Sequence, residues 1–199
     1  MAERGVEVDH STTNRWVLKY TPTQDKRIQP HLGQTNDSWR VDETYIQVKR
    51  AWKYLYRAVD SAGNMLDFML SAKRNGKAAT RFFCKVLKAQ HTQAPRVVNV
   101  DKNAAYPVAM DALKEDEMIA AETELRQSKY LNNIVEQDHR NIKRIVRPMM
   151  GFNSFNSARR TLSGIEGMNM IRKGQVKGIE QGDSLSQVRF VESIFGITV

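Results

Sequence analysis

Between residues 39 and 71 the chain carries three runs rich in aromatic and β-branched residues, joined by two short turn signals. Residues 39–48 and 52–60 flank Lys49-Arg50-Ala51, and Asp60-Ser61-Ala62-Gly63-Asn64 leads into residues 65–71. Such runs favour a pleated, half-buried surface, and connections this short join only antiparallel neighbours. The pattern predicts an antiparallel meander as the start of the fold. After Gly76 the apolar period changes, and Ala79, Phe82, Phe83, Val86 and Leu87 recur at helical spacing. Residues 96–100 form a fourth strand whose unbroken apolar centre suits burial on both faces. A helix over 104–114 must hold Pro107 in its first turn or start late. A short fifth strand near 124–128 and helices over 131–146 and 155–173 follow, the last two separated by Pro148 and Gly151, and the tail from 174 is weakly patterned. The order β-β-β-α-β-α-β-α-α describes an α/β protein, a mixed five-stranded sheet flanked by helices.

Ahead of the meander lies a short basic helix, capped by Asp9 or Ser11 and apolar at Trp16, Val17 and Tyr20. Pro22 is expected to stop it, leaving residues 21–38 as a polar linker. The expected organisation is residues 1–35 as that helix and linker, 36–180 as the main domain, and 181–199 as a tail.

Three acids stand in three different settings. Asp42 sits inside the first strand-like run, Trp-Arg-Val-Asp-Glu-Thr-Tyr-Ile-Gln-Val, sharing a face with Thr44, Ile46 and Val48 while Glu43 points the other way. A carboxylate in an apolar strand is costly unless paired or bound to a metal. Asp101 ends the fourth strand, where an acid either caps the following turn or binds a ligand at a carboxyl end. Glu136 lies on the helix over 131–146, whose apolar arc is Leu131, Ile134, Val135, Ile142, Ile145 and Val146. Glu136, Arg140, Lys143 and Arg147 share a second face, which reads either as a solvated face with i,i+4 pairs or as a metal ligand beside phosphate contacts. Asp138 projects into the apolar arc, a position that calls for a core partner or makes it a reserve ligand. Three acids converging at one sheet edge suggest a divalent-metal site for phosphodiester chemistry.

Charge agrees with that chemistry. The 199 residues carry 31 Lys and Arg against 22 Asp and Glu, a formal net charge of +9, which points to a polyanionic partner. From Arg140 to Lys177 there are nine cations, Arg144, Arg147, Arg159 and Arg160 among them, and one acid, Glu166. The single cysteine, Cys84, excludes an intrachain disulfide or a cysteine-based zinc site, and the four histidines form no ligand pairs. Neither a signal peptide nor a run of ~18 apolar residues is present, so the expected location is cytoplasmic and away from membranes. Trp52, Tyr54 and Tyr56 read as hairpin or core packing, and His139 as a hydrogen-bonding or DNA-touching residue.

At these residues the chain resembles a known family, the IS-six family of bacterial insertion-sequence transposases. The matching stretches are Trp-Arg-Val-Asp-Glu-Thr-Tyr at 39–45, Tyr-Leu-Tyr-Arg-Ala-Val-Asp-Ser-Ala-Gly-Asn at 54–64, Val-Asp-Lys-Asn-Ala-Ala-Tyr-Pro at 100–107, Lys-Tyr-Leu-Asn-Asn-Ile-Val-Glu-Gln-Asp-His-Arg at 129–140 and Gly-Ile-Glu-Gly-Met-Asn-Met-Ile-Arg-Lys-Gly-Gln at 164–175. The resemblance implies a DDE catalytic core on the RNase H-like, integrase-like fold. It implies Asp42, Asp101 and Glu136 as the catalytic and metal-binding triad, with 34 residues between the last two and Lys143 seven positions after Glu136 at a DNA-contacting position. It further implies two Mg²⁺ ions, with Mn²⁺ as a substitute; charge placement adds Arg140, Arg144 and Arg147 to Lys143 as the expected DNA contacts. The expected partners are the element's terminal inverted repeats, target DNA and further copies of the chain, in a bacterial nucleoid setting. Val-Asp-His-Ser-Thr-Thr-Asn-Arg-Trp-Val resembles only the recognition helix of the family's helix-turn-helix, which makes Arg15 a DNA contact, and Met-Ala-Glu-Arg-Gly the last turn of the helix before it. The chain reads as an amino-terminally truncated copy. The expected activity is Mg²⁺-dependent cleavage at element ends and strand transfer; the rivals are a DNA-binding remnant and an RNase H-like nuclease.

Overall fold

Alternate residues of the first long strand are buried, and that alternation sets the two faces of a five-stranded sheet in a computed structural model that describes residues 8–128 and 133–197, with 133 and 134 described by their backbone alone. The strands are β1 (Ser38–Val48), β2 (Ala51–Asp60), β3 (Met65–Ser71), β4 (Val97–Val100) and β5 (Glu124–Gln127), in the order β3-β2-β1-β4-β5. β1, β2 and β3 are the expected antiparallel meander, while β4 pairs parallel with both β1 and β5. The β1–β2 turn is only two residues long, and it holds Lys49 and Arg50 at φ 51° and 62°, a left-handed pair usually left to Gly or Asn.

One face of the sheet packs against α2 (Gly76–Leu87) and α3 (Ala105–Glu115). Trp39, Val41, Tyr56, Ala58, Val98 and Val100 from the strands meet Phe82, Phe83, Val86, Tyr106, Met110 and Leu113 from these helices. Pro107 is the third residue of α3, where its missing N–H leaves no helical bond unmade. α4 (Asn133–Val146) lies on the opposite face, over β1 and β2, burying Val135, Ile142 and Val146. The expected helix start at 131, with Leu131 and the side chain of Ile134, lies outside the described residues. So does the Met-Ala-Glu-Arg-Gly segment.

The chain divides into two units, residues 32–153 holding the sheet with α2 to α4, and the chain up to His31 together with the chain from Ser154 on. Packing places these edges; they are not the 35 and 180 at which the sequence changes character. The second unit joins α1 (His10–Ile28), α5 (Phe155–Arg172) and α6 (Ser184–Phe195), the last formed by a tail that looked unpatterned. Asp9 caps α1, accepting from Thr12 N at 2.6 Å.

The structure corrects one expectation here: Pro22 does not stop α1, which runs on to Ile28. A proline within a helix strands the carbonyl four residues earlier. That carbonyl, Leu18 O, instead accepts a hydrogen bond from Arg160 Nη1 of α5 at 3.2 Å. Arg160, counted among the phosphate-binding cations in the sequence, thus completes a broken helix ladder. Gly164 permits the close approach of the two helices, because a Cβ there would stand 2.6 Å from Thr21 Oγ1.

Candidate active site

The site is built where two parallel strands part. β1 and β4 pair as Ser38 with Val97, Trp39 with Val98 and Arg40 with Asn99, and the pairing ends there. Carried on at the same offset, the register sets Asp42 level with Asp101, just beyond the carboxyl end of β4. A crevice outside strand carboxyl ends is the usual ligand position in an open α/β sheet. One oxygen each from Asp42, Glu43 and Asp101 lie within 4.8 Å of one another, the candidate cation-binding group among the described residues.

Glu43 was the residue expected to face away. It does so: its side chain lies on the α2–α3 side, where its carboxylate ties three segments together at the end of the sheet pairing. It pairs with Arg74, accepts from Asn103 Nδ2 at 2.8 Å and accepts from the Tyr106 hydroxyl. Its side chain is 3% exposed. Burial, and then the Glu43 charge, hold the Tyr106 hydroxyl well above the ordinary tyrosine range, so it stays a donor. Asp101 accepts from Asn103 N at 3.1 Å and pairs with Arg74 Nη2 at 3.2 Å. Asp101 therefore shapes its turn while one third of its side chain stays exposed, and it does not cap α3, which has no side-chain cap. Arg74 serves both Glu43 and Asp101. The sequence signal for this arrangement was available: Asn103 and Tyr106 follow Asp101 by two and five residues, and Glu43 adjoins Asp42.

On the other face of the sheet, α4 covers Asp42. Asp42 stands directly opposite Arg57 of β2 in the antiparallel register. Arg57, 1% exposed, pairs with Asp138 of α4 at 3.2 Å. This gives Asp138 the core partner that its place in the apolar arc required. His139 is buried, with Nδ1 3.6 Å from Asp42 Oδ2, too long for a hydrogen bond. Burial, followed by the charges of Arg57 and Lys143, pushes its pKa down to about 3, so it is neutral at pH 7. It is too enclosed to touch DNA. Glu136 lies in the first turn of α4, exposed, and its charge reaches Asp42. It is not within the 4.8 Å group.

Asp42 carries the largest carboxyl perturbation in the site. Burial raises its pKa to about 7, and Glu43, Asp101 and Glu136 each add repulsion, against one hydrogen bond from Glu43 N at 2.9 Å. Asp101 is also raised, first by burial and then by Glu43, with Arg74 opposing. Oxygen donors whose charge is unfavourable without a counter-ion suit a hard divalent cation.

The expected DNA contacts fall in two places. Arg140, Lys143, Arg144 and Arg147 line one groove along α4 together with Pro148. Arg15 is exposed on α1 in the other unit, where its Nη2 lies 3.3 Å from Ser11 Oγ.

Solved structures with this fold include retroviral integrase cores. The catalytic core domain of BIV integrase superposes with a TM-score of 0.52 over 80% of this chain and 98% of that one, at 13% identity. The HTLV-2 integrase core, solved in complex with magnesium, gives 0.50 over 71% and 88%, at 12%. The fold is thus that of a retroviral integrase catalytic core. Residues 36–175 match a transposase family model described as a DDE domain. The transposase for the insertion sequence-like element IS431mec of Staphylococcus aureus is 39% identical over 166 residues, 83% of this chain and 71% of that protein. The transposase of IS257 in transposon Tn4003, also from Staphylococcus aureus, is 39% identical over 163 residues, 82% and 70%. The chain belongs to this family: it is a DDE transposase of the IS-six family.

Proposed function

We propose that Asp42, Asp101 and Glu136 are the catalytic acids of this transposase, and that they hold Mg²⁺ for cleavage at element ends and strand transfer into target DNA. The observation that supports this most is the shared register of β1 and β4, which sets Asp42 beside Asp101 at the point where the strands separate. Glu136 joins them through its field on Asp42. Glu43 is the structural acid of the group: Arg74, Asn103 and Tyr106 occupy its oxygens, which leaves Asp42 and Asp101 as the open donors.

When bound, Mg²⁺ lowers the pKa of an attacking water or 3′-hydroxyl and offsets charge on the scissile phosphate. The chain's own residues orient and hold. Asp42 must release its proton to become a ligand, which its pKa near 7 allows in neutral solution. Arg74 fixes the Asp101 carboxylate, and Arg57 with Asp138 fixes α4, hence Glu136, over β1. Arg140, Lys143, Arg144 and Arg147 would take the phosphates of the strand being cut. Bringing two element ends together calls for more than one copy of the chain.

The test is Asp42→Ala, Asp101→Ala and Glu136→Ala in a Mg²⁺-dependent assay on a plasmid carrying element-end DNA, read as nicked and joined products. Each substitution should reduce both products to background and weaken Mn²⁺ binding measured calorimetrically. Full activity in any of the three removes that residue from the triad, and hydrolysis without joining in the parent chain would make it a nuclease.

A further inference from the structure

Trp52 does not pack into the hairpin as its strand-like setting suggests; it is 62% exposed, and its neighbour Tyr45 is 49% exposed. The two rings meet edge to face at 6.4 Å between centroids, and Tyr54 lies 5.4 Å from Tyr45 on its other side. Together with Met150, Lys143 and Arg147 they line an open pocket of about 690 Å³. That volume lies within the ~300–1,000 Å³ of small-molecule sites. The back of the pocket is fixed by Gly151 at φ 98°, where the chain after α4 bonds along the end of β1, Phe152 N to Gln47 O at 2.9 Å and Lys49 N to Phe152 O at 2.8 Å.

Every charged residue lining the pocket is a cation. Lys143 and Arg147 also line the groove with Arg140 and Arg144, so the two surfaces are continuous along α4. Lys49 and Arg50, at the hairpin tip, line a third hollow that shares Met150 and Gly151 with the pocket. Two exposed rings, Trp52 and Tyr45, backed by the half-buried Tyr54 and sharing a pocket with Lys143 and Arg147, form the pattern that stacks bases and tracks a sugar–phosphate backbone. Glu136 stands in the first turn of α4 and Arg147 directly follows that helix, ~16 Å further along its axis, the length of roughly five nucleotides of one strand.

We propose that this pocket receives an unstacked base of the DNA strand running from the acid crevice, with Trp52 and Tyr45 as the stacking platform and Lys143 and Arg147 on the flanking phosphates. The inference rests on the assignment of the acid crevice as the site of DNA chemistry. It predicts that the chain prefers DNA with an unpaired segment over a blunt duplex, and that Trp52 carries the preference.

The experiment measures anisotropy of fluorescein-labelled DNA with the full chain in EDTA, so that cleavage plays no part. The probes are a 20-nucleotide single strand, the blunt duplex of the same sequence, and that duplex with a short single-stranded overhang. Trp52→Ala should weaken binding of the single strand and of the overhang duplex by roughly 5- to 150-fold, the span of one lost base stack, and change the blunt duplex by less than about twofold. Trp52→Phe should restore most of the loss. Asp42→Ala should keep the preference while losing cleavage, so failure of the pocket and failure of the active-site reading are separable. Unchanged single-strand binding in Trp52→Ala overturns the inference, and so does an equal loss on all three probes. It is also overturned if Trp52→Ala breaks a self-associated species into monomers with DNA affinity intact, for then the rings are an interface between copies. If Trp52→Ala melts below the assay temperature, Tyr45→Ala carries the same test.

Discussion

Asp42 shows how one residue's environment becomes a measurable property. Its carboxyl titrates near 7 in the folded chain and near 3.8 outside it. The folded chain therefore keeps a proton that the unfolded chain releases, and stability falls as pH rises between these values. Asp42→Asn removes the repelled charge. In metal-free buffer the variant should exceed the parent in stability at pH 8, by a few kcal/mol at most, since one pKa unit is worth ~1.4 kcal/mol. The gap should shrink towards pH 5 and also on adding Mg²⁺ at pH 8. Urea unfolding at the two pH values checks this; a gap that does not depend on pH would show that burial and its acidic neighbours do not raise the Asp42 carboxyl. His139 acts in the opposite sense. Its depressed pKa costs stability as pH falls below 6.5, but both proteins contain it and the difference between them cancels it. Glu43 is the residue that alternation placed on the correct face while leaving its partners unseen. The two-residue period of a strand gives the face, but which partners wait there, such as Tyr106, 63 residues away, is settled by packing.

At the scale of elements, apolar contacts and the buried ion pair of Arg57 with Asp138 hold α4 on the sheet. Removing one partner leaves a charge in the interior, which costs about 3–5 kcal/mol, whereas replacing both with apolar groups is often neutral. Arg57→Met alone should therefore lower unfolding stability by about that amount, and Arg57→Met with Asp138→Leu should recover most of it. Denaturant melts of the single and double variants decide the matter; a double variant as unstable as the sum of the singles would show that the pair is not coupled. Most elements were legible in the sequence, because turn signals and apolar periods report local structure directly. β3 was expected over 65–71 and is found at Met65–Ser71. The continuation of α1 past Pro22 was not legible, since the compensating donor belongs to Arg160, 142 residues from Leu18. Similarly α6, with weak patterning, forms in contact with α1 and α5.

At the scale of the molecule, the net charge of +9 supplies attraction to any polyanion, and the cations along α4 give it a location. DNA affinity should fall linearly on a log–log plot against salt. Lys143→Gln should reduce the magnitude of that slope by about 1 on every duplex sequence, as expected for one lost phosphate contact. Affinity titrations at four salt concentrations measure it, and an unchanged slope would remove Lys143 from the DNA path. By itself the sequence determined the order of the strands and of the helices from α2 to α5, the sign and distribution of charge, and the family, because each is written in local period, composition or contiguous motif. Tertiary structure alone decided that Glu43 is held by Arg74, Asn103 and Tyr106, that Asp138 pairs with Arg57, and that Trp52 is exposed in a pocket shared with Lys143 and Arg147. Those outcomes depend on strand register and on which helix covers which face, and both are settled by packing between segments far apart in the chain, where no local pattern reaches.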